Sequence, residues 1–208
     1  MPPNTQQSRR HKAARLGEIA QAALEEFSLH GFAEARLDQV AKRAGISKGT
    51  IYLYYASKEA LFIAVIRTYL SPVLEQIEIA VQQAEGSVED KLHRMLTAFY
   101  QQVAGNPERR HIIRLIICEG PKFPELLTMY YDEIVSRGIR FIRALLANSQ
   151  QQSRLSAQPV SDFPQLIIGP IILAALWKIL FDTRETLDLD ALVEAHLKVL
   201  LDGIRLSP

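Results

Sequence analysis

Between positions 47 and 58 the chain gathers the residue types that grip a polyanion. Ser47, Lys48, Gly49 and Thr50 follow one another, with Tyr52, Tyr54, Tyr55 and Lys58 close behind. Hydroxyl groups, an ammonium and the free N–H groups of a helix start all bind phosphate, and the helix dipole adds to them. Thr50 and Tyr52 have the reach to touch base edges or nearby phosphates. Gly49 lacks a side chain, so its backbone can approach a groove closely. Tyr54, Tyr55 and Lys58 suit the flanking backbone of a duplex. The plain alternative, that Tyr54 or Tyr55 is simply core, stays open.

Covalent chemistry has far less support. The histidines, at 11, 30, 93, 111 and 196, show no metal-ligand spacing. No Gly-x-Ser-x-Gly, phosphate-binding loop or dinucleotide fingerprint is present. The single cysteine, Cys118, cannot form an intrachain disulfide and reads as inert core. No catalytic activity, metal or cofactor is expected.

The polyanion-gripping residues need a rigid mount, and the surrounding spacing supplies one. Apolar residues recur at helical intervals almost everywhere, and no segment alternates with period two. Residues 1–8 read as a disordered tail. A first helix runs from about 9 to 30 and stops at Gly31. Two short helices follow at about 37–44 and 48–54. Ala41 is a small residue where helices cross, Gly45 lies in the turn, and Ile51 locks the second helix, with Leu37, Val40, Ala44 and Ile46 completing the contact. That is the pattern of a helix-turn-helix over 36–55. Ser47 can cap its second helix.

A long fourth helix starts after Ser57. Gly86 breaks it, and Ser87 with Asp90 has capping-box spacing for a fifth, to about 104. Asn106-Pro107 opens a sixth, ended by Gly120-Pro121. A seventh covers about 124–150, a loop rich in Gln and Ser follows to 159, and two apolar helices at about 162–183 and 188–205 close the chain. The class is all-α, with about nine helices: a three-helix head over 9–56 and a body over 57–208.

Charge is divided along the chain. Residues 1–70 carry a net charge of +4 and the remainder −3, within a total of +1. A basic first third on a mildly acidic remainder fits an anion-binding module joined to something else. An architectural DNA protein would need a larger basic excess and no such body. The N-terminus lacks the apolar core of a signal peptide. The run from Leu166 to Trp177 is too short to span a bilayer. The expected location is cytoplasmic, with no membrane partner.

The segment from Ala41 through the run AGISKGTIYLYYASKEALF resembles the N-terminal signature of the TetR (tetracycline-repressor-like) family. The match extends over about 12–72 and includes Gly31-Phe32 and Ser57 to Phe62. The resemblance implies a homodimeric regulator that binds a palindromic double-stranded operator and answers a small-molecule effector, most often as a repressor. It implies that Thr50, Tyr52, Tyr55 and Lys58 contact DNA or stabilise the head. One departure stands out. The family has hydroxyl residues just before the first motif helix, where this chain has Ala35 and Arg36. Arg36 either contacts phosphate by charge or is simply solvated.

The body offers candidates for the remaining roles. The last two helices are more apolar than a monomer needs. The resemblance makes them a four-helix dimer interface, with Ile168, Ile172, Ala175, Leu176, Val193, Leu197, Leu200 and Ile204 as candidates. Pocket candidates are Met95, Phe99, Tyr100, Phe123, Tyr130 and Trp177. Arg114 and Glu119, polar residues in apolar surroundings, could anchor a ligand or form ion pairs. The fourth helix runs from head to body and is the expected lever between effector and operator.

Overall fold

The computed structural model describes the backbone of residues 5–150 and 158–204, and side chains over 13–147 and 160–203. Among the described residues there are helices and no strands. In chain order they are α1 (Thr5–Glu34), α2 (Leu37–Arg43), α3 (Lys48–Tyr54), α4 (Lys58–Gln82), α5 (Val88–Phe99), α6 (Pro107–Glu119), α7 (Pro124–Tyr130), α8 (Ser136–Gln150), α9 (Gln158–Asp162), α10 (Gln165–Leu180) and α11 (Leu189–Ile204). A π turn, Tyr131–Val135, joins α7 to α8, and another, Tyr100–Ala104, extends α5. With α7 and α8 taken as one helix, the nine expected become ten. The addition is α9, which starts at the end of the segment read as loop and runs up to the expected start of the next helix; residues 151–157 of that segment lie outside the described residues. The tail is shorter than expected, since Thr5 to Ser8 are helical and residues 1–4 lie outside the described residues.

Local signals place the helix ends. Ser57 Oγ accepts from Ala60 N–H at 3.1 Å at the head of α4. Ser87 and Asp90 close a full capping box on α5. Asn106 Oδ1 accepts from Arg109 N–H at 3.0 Å before α6. Gly86, with φ of 113°, turns the chain between α4 and α5 in a conformation that only glycine adopts cheaply.

The chain forms two compact units, and they differ from a division at residue 56. The first holds the residues up to Ser71 together with Leu115–Met129. The second holds Pro72–Arg114 and the chain from Tyr130 onward. Both α4 and α6 therefore contribute residues to each unit. The first unit is built on Ile19, Ala23, Phe27, Val40, Ile51, Leu61, Phe62, Val65 and Ile66, all buried. Phe27, Phe32 and Phe62 pack mutually in tilted and edge-on pairs, with centroids 4.8–5.6 Å apart, and Phe123 meets Phe32 edge-on at 4.5 Å. Each such pair adds about 0.5–1.5 kcal/mol beyond its buried area.

The second unit packs α5, α8, α10, α11 and the end of α4 around Ile77, Leu92, Met95, Leu96, Tyr100, Ile142, Leu146, Ile167, Ile171, Ala174 and Val193. By length and composition α4 is apolar enough to cross a membrane. Its apolar residues instead lie in these cores, Leu61 to Ile66 in the first and Val73, Ile77 and Val81 in the second.

Candidate nucleic-acid interface

The helix-turn-helix forms as the spacing predicts. Val40 and Ala41 are buried in α2, and Ile51 is the buried residue of α3. Gly45 takes φ of 65° in the turn. Its N–H bonds the Lys42 carbonyl at 3.3 Å, and the Ile46 N–H bonds that of Ala41 at 3.0 Å. A left-handed residue is required there, and no neighbouring atom would obstruct a Cβ, so backbone conformation alone selects glycine.

The leading end of α3 is open and ordered. Ser47 is its N-cap. Ser47 Oγ accepts from Thr50 N–H at 3.1 Å and lies 2.8 Å from the Thr50 hydroxyl. Ser47, Lys48 and Gly49 are exposed, Thr50 is half-buried, and Tyr52 is 49% exposed. These five lie on or beside the first turn of α3, whose leading N–H groups have no acceptor within the helix. Tyr54 and Tyr55 are half-buried, and burial raises the Tyr55 phenol above its ordinary pKa. They straddle the two readings, part core and part surface.

Lys58 has a structural partner set. Its ammonium donates to the carbonyls of Ala33 and Ala35, each at 2.9 Å, and lies 4.7 Å from the centre of the Phe32 ring. It ties the start of α4 to the end of α1 and the link to α2, the arrangement of a head-stabilising residue. Arg36 caps α2 without a side-chain bond. Its exposed guanidinium pairs with Asp38, with Nη2 to Oδ2 at 3.1 Å. The Asp38 carboxyl sits below its usual pKa, held there by its own backbone N–H and then by Arg36. A phosphate contact by Arg36 would have to draw on this pair.

Two residues escaped the sequence reading. Leu53, on α3 beside Tyr52, is 82% exposed. Glu26 is a buried carboxylate on α1. Its signal was present, because it lies seven residues after Ile19 on the apolar stripe. Cys118 corrects the expectation of a core thiol, since it is exposed on α6.

The pocket candidates do not form one group. Met95 and Tyr100 are fully buried in the core of the second unit, with Phe99 packed against it. Trp177 donates from Nε1 to the Glu185 carbonyl at 3.1 Å. Tyr130 and Arg114 are half-buried in the same unit, and burial raises the Tyr130 phenol. Glu119 and Phe123 belong to the first unit. There Glu119 pairs with Lys122 at 3.0 Å and closes on Gly31, and Phe123 packs on Phe32.

The dimer candidates divide between the core of their own unit and its partly covered edge. Ala175, Val193 and Leu200 are buried in their own unit, and Ile168, Ile172 and Leu197 pack against that core. Leu176 is half-buried, and the side chain of Ile204 lies outside the described residues. The most exposed large apolar residues of α10 are Leu166, Leu173 and Leu180, at 53–64% exposure, and that of α11 is Val199 at 71%. Because α10 is apolar on every side, periodicity could not choose which face turns inward.

An exposed, capped recognition helix on a helix-turn-helix, within an all-helical two-unit chain, defines a DNA-binding regulator. Comparison with known proteins agrees. Residues 19–65 match the family described as bacterial regulatory proteins, tetR family. The HTH-type transcriptional repressor SCO4008 of Streptomyces coelicolor is 31% identical over 160 residues, covering 77% of this chain and 78% of that protein. The fatty acid metabolism regulator protein of Bacillus subtilis is 23% identical over 196 residues, covering 94% and 98%. The crystal structure of the transcriptional regulator FadR from Bacillus subtilis in complex with stearoyl-CoA shares the fold. It has a TM-score of 0.69 and 23% identity, over 90% of this chain and 98% of that one. The chain belongs to the TetR family of transcriptional regulators, and it is not an enzyme.

Proposed function

We propose that the protein is a cytoplasmic, homodimeric repressor that holds a palindromic operator through two copies of α3 and leaves it when a small molecule binds the second unit. The observation that carries the reading is the open end of α3, where Ser47, Lys48 and Gly49 are exposed on a helix start ordered by the Ser47 cap. Lys48 and the free N–H groups hold phosphate, and Thr50 and Tyr52 reach base edges. Leu53 adds an apolar surface of the kind that reads a thymine methyl. Arg36 contributes charge at the flanking phosphate in competition with Asp38.

Two α3 helices reach two half-sites only in a dimer. The support for one is the exposed apolar face of α10, with Val199 and the small residues Ala195 and Gly203 on α11. Monomers seldom leave so much contiguous apolar surface uncovered. Coupling follows from chain connectivity, because α4 and α6 each carry residues of both units. A ligand that prefers one arrangement of their body segments shifts the population of head arrangements.

The likeness over nearly the whole chain to a fatty acid metabolism regulator directs the effector search to long-chain acyl-CoA thioesters. The test uses a duplex selected by the protein from a random library, followed by fluorescence anisotropy. Stearoyl-CoA should release the duplex with a saturable midpoint. Binding of stearoyl-CoA without release would refute the coupling. No binding by any acyl-CoA would refute the effector class.

A further inference from the structure

Among the described residues the buried polar or charged side chains are Glu26 and His196. Glu26, at 2% exposure, lies against the helix-turn-helix. Its Oε1 accepts from the Arg36 backbone N–H at 3.3 Å, and its Oε2 accepts from Arg43 Nε at 3.4 Å. Arg43 also reaches Glu25 at 3.6 Å, and His30 Nε2 lies 3.9 Å from Glu26 Oε2. Arg36 is the N-cap of α2 and Arg43 its last residue. One carboxylate thus holds both ends of α2.

A seven-residue helix has little stability of its own, so outside contacts set its position. In a capping box the N-cap hydroxyl accepts from the third helical N–H, and the third side chain accepts from the N-cap N–H. On α2 the third residue is Gln39, whose N–H bonds only the Arg36 carbonyl, at 3.0 Å. The Arg36 side chain supplies no cap. Glu26 reaches across from α1 and supplies the half of the box that bonds the N-cap N–H. An apolar residue at 26 would continue the stripe of Ile19, Ala23 and Phe27. A buried carboxylate with its partners seldom gains net stability over apolar residues at all of those positions, although removing one partner alone is costly. What the carboxylate adds is a direction for α2.

We propose that Glu26 is a positioning residue for DNA reading: it fixes α2, and through the Gly45 turn α3, in place of the hydroxyl cap missing at residues 35 and 36. The proposal rests on the DNA-reading function and deepens it. A wild-type protein that selects no duplex would refute that function itself, not the role of Glu26.

The test compares affinities for the library-selected duplex and unfolding midpoints for Glu26→Leu and Glu26→Gln, each with and without Arg36→Ser. Glu26→Leu should fold with a lowered unfolding midpoint, since the Arg36 N–H loses its acceptor and Arg43 keeps only Glu25, and should bind about tenfold more weakly. Glu26→Gln keeps one carbonyl oxygen for two donors and should lose about threefold. Arg36→Ser should weaken binding in the wild type but restore it in either Glu26 variant, where the new hydroxyl can cap α2. This inversion of sign is what general loosening of the core would not produce. If Glu26→Leu fails to fold, the inversion is read on Glu26→Gln. A folded Glu26 variant that binds as tightly as wild type, or an Arg36→Ser effect equal in both backgrounds, would overturn the proposal.

Discussion

At the scale of single residues, hydrogen-bond partners divide the motif into groups that face outward and groups that hold the head together. Ser47 and Lys58 stand eleven positions apart in the signature, yet Ser47 orders an exposed helix start while Lys58 binds two backbone carbonyls. The sequence shows both as polar, and only the fold gives each its partner. His196 makes the same point in the second unit. It is 8% exposed on α11, with Nδ1 3.1 Å from the Tyr100 hydroxyl and the Leu166 backbone as a further neighbour of the ring. Pro170 removes the N–H that the Leu166 carbonyl would otherwise receive within α10. Burial lowers the His196 pKa, and the Leu166 backbone partly opposes this. Burial also pushes the Tyr100 phenol up to about 12. The folded state therefore keeps His196 neutral at a pH where the unfolded chain, titrating near 6.5, binds a proton. Stability is full above that pH and falls as pH drops below it, by no more than about 1.4 kcal/mol per pH unit for one group. His111 is shifted in the same direction, so His196→Phe should reduce this acid sensitivity without abolishing it. Unfolding midpoints between pH 7.5 and 5.5 would check it, and an unchanged slope would contradict it.

At the scale of elements, helix ends are legible in the sequence because their signals are local. Ser47, Ser57, Ser87 with Asp90, and Asn106 each cap the helix that spacing assigns them. The π turn at Tyr131–Val135 and the helix α9 carry no comparable local signal, since packing decides them. The Gly45 turn is a local signal with a measurable energy. Gly45→Ala forces a Cβ into the left-handed region and should destabilise the protein by about 1 kcal/mol. Gly17, inside α1 with open space around it, is the control. Gly17→Ala should stabilise by up to about 1 kcal/mol through helix propensity. Denaturant titration would show the opposite signs, and equal shifts would contradict the assignment of Gly45 to conformational need.

At the scale of the molecule, the division into head and body is only partly legible. Leu115–Met129 joins the first unit by packing, including Phe123 on Phe32, and sequence distance gave no hint of that pairing. The outward face of α10 was hidden for a different reason, since a helix apolar all round has no preferred inner side until its neighbours are known. Leu166, Leu173 and Leu180 now identify it. If this face pairs two copies as proposed, the wild type should be a dimer and Leu173→Glu a monomer in light scattering at micromolar concentration. Ala175→Ser, facing the protomer's own core, should leave it a dimer. A Leu173→Glu protein that remains dimeric would contradict the assigned face.

The central claim is that α3 reads sequence. It is tested most directly by competing the library-selected duplex against a scrambled duplex of the same length and composition at physiological salt. The account predicts a preference of about a thousandfold or more for the selected duplex, and its loss when Tyr52 and Thr50 are replaced by alanine. Equal affinity for the two duplexes would show that the protein binds DNA by charge alone, and would contradict the claim.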